Sequence, residues 1–256
     1  MSDERKPLLY IVEASVARIT LNRPEKRNAL NESLIAGMKN ALREADGTEA
    51  VRAVVITGAG QDFCSGADLS ALQKISGASV SENTEDARSL MELFMLIRQV
   101  RVPVVAAVRG RALAGGCGLA SACDIVLAAG SARFGYPEVK IGFVPAMVTA
   151  ILRRNVSEKR AFELITRGAE IGAAEAKQIG LVNQVFSDDS FEEEVSAYVR
   201  AFEKMSKSAV ALTKSLLYQI DGLAFLEALE AGVDVNVIAR MTEDFQRSIA
   251  TFLRRG

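Results

Sequence analysis

The sequence predicts a mixed α/β core over residues 1–190 followed by a helical region over 191–256, and two observations predict it. Twice in the first half an apolar, β-branched run enters a glycine-rich loop and then a helix, the rhythm of stacked β-β-α turns with their loops on one face. Beyond about Leu181–Val185 the strand signals stop and helical periodicity takes over. At 256 residues, 49% apolar and 25% charged, the chain can bury one sizeable core.

Leu8–Val12 and Val16–Leu21 alternate as a pair of strands joined through Glu13-Ala14-Ser15. Asn31 can cap a helix whose Leu34, Ile35, Met38 and Leu42 recur at helical spacing until Gly47. Val51–Thr57 is a buried strand running into Gly58-Ala59-Gly60. Residues 70–86 are poorly patterned, and 84–100 form a helix with Leu90, Leu93, Phe94 and Ile97 on one face. Pro103 opens a strand over Val104–Val108 that runs into Gly110, Gly115, Gly116 and Gly118. After residue 190 three helices are expected: Phe191–Met205, a segment around Leu212–Ile220, and a long one from about Leu223 to Leu253, with Phe245 and Phe252 packed in the core.

Composition excludes several chemistries. The chain has no histidine, which removes the commonest general base, the Ser-His and Cys-His pairs, and imidazole metal ligands together. Cys64, Cys117 and Cys123 form no C-x-x-C pair and read as buried reduced thiols, with no metal site expected. With 31 basic and 32 acidic residues there is no broad footprint for nucleic acid. The first residues carry no apolar export segment, and the weakly polar stretch 112–129 holds three glycines and Asp124, so a cytoplasmic, non-membrane protein is expected. No G-x-G-x-x-G is completed, no G-x-x-x-x-G-K-[ST] exists, and no serine lies in G-x-S-x-G.

What remains is a pair of glycine loops, Phe63-Cys64-Ser65-Gly66-Ala67-Asp68-Leu69 and Ala112-Leu113-Ala114-Gly115-Gly116-Cys117-Gly118-Leu119. Small residues let backbone N–H groups approach a ligand, and the first N–H groups of a helix lack internal partners. Two such loops facing one point would form an oxyanion hole; the same glycines would also serve tight turns and close helix packing.

Together with Asn22-Arg23-Pro24-Glu25-Lys26-Arg27-Asn28-Ala29-Leu30, Cys123-Asp124-Ile125, Phe134-Gly135-Tyr136-Pro137-Glu138-Val139 and Ala173-Ala174-Glu175-Ala176, these loops resemble the enoyl-CoA hydratase/isomerase (crotonase) family over nearly the whole chain. The resemblance implies a spiral of β-β-α turns, a C-terminal trimerisation region with self-association as a trimer or dimer of trimers, and an acyl-CoA thioester as partner, with no cofactor beyond the coenzyme A that is part of the substrate. It places the thioester oxygen between the backbone N–H groups of Ala67 and Gly115, within loops that include Gly66, Gly116 and Gly118. It sets the coenzyme A phosphate against Lys26, Arg27 and Ala29, the adenine near Ser65, and leaves Asp68 as an anchor for its loop.

Hydratases of this family commonly carry two glutamates, one three residues after the oxyanion glycine and one twenty residues later in a Pro-Glu pair. The second is Glu138, in apolar surroundings that would raise its pKa as a general base needs. Its alternative reading is a strand-edge residue paired with Lys140. The first position is Gly118. Moving a double bond from C3–C4 to C2–C3 needs only one group to take a proton from C2 and return it at C4, so the single glutamate favours isomerisation. Hydration remains the alternative, with the second group supplied by the 71–90 region, Tyr136 or solvent, and so does an acyl-CoA-binding protein without turnover. Phe143, Val144 and Met147 are candidates to meet the acyl group.

Overall fold

In a computed structural model, which describes residues 6–254, a six-stranded sheet runs in the order β1 (Leu8–Glu13), β2 (Val16–Leu21), β3 (Ala53–Gly58), β4 (Val104–Val108), β6 (Ile125–Ala129) and β9 (Gln184–Phe186). Only β1 and β2 pair antiparallel; the other neighbours are parallel. A three-stranded sheet holds β5 (Arg111–Leu113), β7 (Arg133–Gly135) and β8 (Glu170–Gly172).

The central strands are apolar throughout because both faces are covered. Val54, Ile56, Val104, Ala106 and Val108 face one core with α1 (Glu32–Gly47) and α3 (Val80–Gln99). Ala53, Val55, Val105 and Ala107 face a second core with Phe191, Val195 and Val199 of α8 (Phe191–Arg200). The helix after residue 190 therefore completes the core. α1 begins where predicted, the Asn31 side chain accepting the Leu34 N–H at 2.9 Å.

Three differences from the expected elements have local causes. The poorly patterned stretch is helical, as α2 (Leu69–Gly77) and the first turns of α3, because Asp68 caps one and a reciprocal Ser79–Glu82 capping box starts the other. The helix expected to run to Met205 ends as α8 at Arg200 and gives way to a 3₁₀ turn over Ala201–Lys204. The long last helix is two, α10 (Phe225–Met241) and α11 (Glu243–Leu253), since Thr242 turns extended and caps the second through Phe245 N–H.

Among the C-terminal helices, α9 (Lys207–Gln219) is tied to the core by Lys214, which donates to Asp124 at 2.7 Å and to the Ile97 and Val102 carbonyls. α10 instead exposes Phe225, Leu229, Val233, Val237 and Met241 at four-residue spacing, one continuous stripe. Phe245 and Phe252 are exposed as well, at 40% and 74%, which corrects the expectation that they pack in the core: α11 lies on α9 and α10, away from the sheets. Among the described residues no helix is long and apolar enough to cross a membrane.

Candidate functional site

Each turn of the core passes from the large sheet through a short extended piece and then into a helix or tight turn, and the short pieces lie side by side. Leu30 bridges Ala67, Cys64 bridges Ala112, and Ala112 pairs with Phe134, all parallel. Ala67 lies three residues beyond Cys64, Gly115 three beyond Ala112 and Pro137 three beyond Phe134, so the paired strands lead side by side into the two glycine loops and the Pro-Glu turn. The resemblance grouped these segments; the strand pairing sets them side by side.

Glycine permits the approach. Gly66 has φ +94°, and a β-carbon there would stand 2.7 Å from Ala114 Cβ and 3.5 Å from Gly115 N. A β-carbon at Gly116 would strike the Cys64 carbonyl. Across the planar peptides, N–H points opposite to the preceding C=O. The Gly66 carbonyl accepts from Leu30 N–H at 2.6 Å, which turns the Ala67 N–H away from Leu30. The Ala114 carbonyl accepts from Gly118 N–H at 2.9 Å, which turns the Gly115 N–H out of the start of α4 (Gly115–Ala122). Neither N–H has an acceptor among the described residues. Ala114, with φ 51° and ψ −129°, holds a conformation that L residues rarely adopt and that costs about 1–3 kcal/mol. Strain at that place orients the Gly115 amide.

Glu138 is 8% exposed in the 3₁₀ turn Pro137–Ile141, and its Oε2 has no hydrogen-bond partner among the described residues. Burial pushes its carboxyl above the ordinary carboxylate range, against a smaller opposing pull from its own backbone N–H. The alternative pairing with Lys140 is not formed: Lys140 is exposed and no ion pair joins the two. Ala114 N–H donates to the Gly135 carbonyl at 2.8 Å, fastening the second glycine loop to the strand that leads to Glu138.

Gly118, where the resemblance expects the other carboxylate, is closely packed. A β-carbon at Gly118 would stand 2.5 Å from Val148 Cγ2 of α5 (Ala146–Asn155) and 3.5 Å from Phe94 Cζ. Gly118 is buried in that contact rather than presented on the loop surface. Tyr136 is held inside the core. Its ring is fully buried and its hydroxyl lies 3.0 Å from Ser121 Oγ, which in turn donates to the Cys117 carbonyl. The sequence held no sign of Phe94 and Val148 as the plug, since both belong to ordinary apolar helix faces.

The basic turn borders the first glycine loop: Ser65 N–H donates to the Arg27 carbonyl at 3.0 Å. Lys26 and Arg27 are exposed and Ala29 is buried. Arg23, at the start of the segment expected to meet coenzyme A, instead donates to Ala29 O and to Asp68 Oδ2, both at 2.6 Å. Burial favours protonated Asp68, but the hydrogen bonds from Arg23 and Ser70 prevail and hold its pKa at about 2. Asp68 anchors the loop, as expected. The three cysteines are buried, and burial pushes the Cys64 and Cys117 thiols up to about 12. Phe143 and Val144 are exposed just beyond Glu138, whereas Met147 borders a different cavity, between α3, α5 and α9. Among the described residues no three histidine, cysteine or acidic side chains gather as a metal-binding group.

The enoyl-CoA hydratase/isomerase family model matches residues 12–256. The chain is 38% identical over 248 residues to a putative enoyl-CoA hydratase from Thermus thermophilus, covering 97% of this chain and 98% of that one. It is 34% identical over 249 residues to the 2,3-dehydroadipyl-CoA hydratase of Escherichia coli, covering 97% and 96%. A crystal structure of enoyl-CoA hydratase from Mycobacterium smegmatis matches with a TM-score of 0.93 at 30% identity over 98% of this chain and 97% of that chain.

Proposed function

From a chain that belongs to the enoyl-CoA hydratase/isomerase family and has its fold, we propose a 3-enoyl-CoA to 2-enoyl-CoA isomerase built on one carboxylate. The observation that carries this reading is the pairing of a buried, unpartnered Glu138 with a Gly118 sealed under Val148.

In this reading the thioester oxygen accepts from Ala67 and Gly115 N–H. Ionised Glu138 takes a proton from C2, and the electrons released spread through the C3–C4 double bond and onto that oxygen. The two amides stabilise a charge that is absent from the ground state, each contributing about 3–4 kcal/mol to the barrier reduction. Glu138, now protonated, returns the proton at C4, leaving the double bond at C2–C3. Nothing is added and nothing leaves. Burial that raises the Glu138 pKa suits both halves of the cycle. Lys26 and Arg27 supply cations for the coenzyme A phosphates, and the exposed α10 stripe supplies an interface for a trimer or dimer of trimers.

Hydration is the second reading, favoured by the names of the relatives. Kinetics on matched 3-enoyl- and 2-enoyl-CoA esters separates the two. Isomerisation that dominates in the natural protein and falls about 10²–10⁴-fold in Glu138→Gln supports the single-carboxylate reading. Vigorous hydration of 2-enoyl-CoA overturns it.

A further inference from the structure

A cavity of about 760 Å³ lies between α3, α5 and α9, and its lining does not include Ala67, Gly115 or Glu138. Its floor is apolar and rich in methionine, with Met91, Phe94 and Met95 from α3 and Met147 and Ile151 from α5. Methionines adapt their shape to an aliphatic chain, and the volume falls within the range of about 300–1,000 Å³ typical of small-molecule sites.

The polar groups at its wall are unequal. Lys214 and Tyr218 are engaged by Asp124, at 2.7 and 2.6 Å, and Arg101 is engaged by Asp46. Arg98 and Arg154 are left to share Asp221, and both address the same oxygen, Oδ2. Two cations facing one carboxylate leave a local excess of positive charge. Arg98 is the more telling of the two. Its side chain is only 19% exposed, its guanidinium stacks 4.6 Å above the Tyr218 ring, and its contact with Asp221 is a long 3.7 Å. Among the described residues that guanidinium makes no side-chain hydrogen bond, its nearest recorded carboxylate oxygen being the one at 3.7 Å, although it carries five donors in a fork that matches a carboxylate.

We propose that this cavity binds an aliphatic chain ending in a carboxylate, the chain on the Met91–Met147 floor and the carboxylate on the Arg98–Arg154 pair. The ligand chemistry has two sources, a free carboxylic acid or the far end of an acyl group carried on coenzyme A. Phe94 relates the site to the chemistry next door: it lines this cavity while its ring tip closes over Gly118. Binding here is independent of which reaction Glu138 performs, so it is measured without turnover.

Calorimetric titration with decanoate, and with decanol as the uncharged match, tests it on the full-length assembled protein. Saturable decanoate binding at least about tenfold tighter than decanol is expected, with Arg98→Gln and Arg154→Gln each weakening decanoate about tenfold and leaving decanol unchanged. Asp221→Asn removes the competing carboxylate and should tighten decanoate, a change of opposite sign that general loss of structure would not produce. The sources then separate by competition: displacement of decanoate by decanedioyl-CoA and not by decanoyl-CoA assigns the cavity to the acyl end, while simultaneous binding assigns it to free acid. Absence of saturable decanoate binding, equal affinity for decanol, or indifference to both arginine variants and Asp221→Asn overturns the proposal.

Discussion

Val148 Cγ2 stands 2.5 Å from the point a β-carbon would take at Gly118, so α4 packs against α5 closely enough that a side chain there would have to displace Val148. Gly118→Glu alone therefore cannot install a working second carboxylate. Overpacking there should cost about 1–3 kcal/mol of stability and leave 2-enoyl-CoA hydration unimproved. Gly118→Glu combined with Val148→Ala restores space, and it should recover stability and raise hydration above the single variant. Hydration that rises strongly in Gly118→Glu with Val148 intact would show that the contact does not close the position.

Glu138 also leaves a mark on stability. Its folded-state pKa is raised by burial, so its protonated form is the better guest of the fold. The stability it contributes is fully present below the ordinary carboxylate pKa and is lost as pH rises through the raised value. Glu138→Gln, neutral throughout, should match the natural protein in Tm at acid pH and exceed it at neutral pH. Thermal melts of both proteins across pH check this, and a difference that does not change with pH contradicts it. In the natural enzyme kcat/KM should rise with pH through the same raised value, because the ionised form is the base.

Gly66 permits contact between the two loops, having φ +94° and only 2.7 Å between its β-carbon position and Ala114 Cβ. Gly66→Ala should displace the Ala67 and Gly115 amides from one another. Turnover should fall about 10²–10³-fold, the loss of one oxyanion donor, and the loss should appear chiefly in kcat rather than KM. Unchanged kcat would place the oxyanion site elsewhere.

The α10 stripe tests assembly. Leu229→Lys with Val233→Lys puts two charges into the row Phe225, Leu229, Val233, Val237 and Met241. Sedimentation velocity should show the natural protein as a trimer or larger and the variant as a monomer with its core intact. A monomeric natural protein removes the role given to the stripe.

Local patterns in the sequence carried much of this. Asn31 with Leu34, Ile35, Met38 and Leu42 specified α1, the apolar runs of β3 and β4 specified buried strands, and glycines marked where strands end. The register that aligns Cys64, Ala112 and Phe134 was not legible, because it depends on pairing between segments tens of residues apart. The plug over Gly118 was equally hidden: Val148 and Phe94 look like any core residues until α5 and α3 are packed. Thr242 gave no warning of a helix break because threonine is tolerated inside helices as well as at their starts.

The most direct test of the account is exchange of the C2 protons of a 3-enoyl-CoA ester in heavy water, followed by NMR, in the natural protein and in Glu138→Gln. The account predicts deuterium entering at C2 with the natural protein and slowing about 10²–10⁴-fold in the variant. Exchange at an undiminished rate in Glu138→Gln, or none with the natural protein, would contradict it.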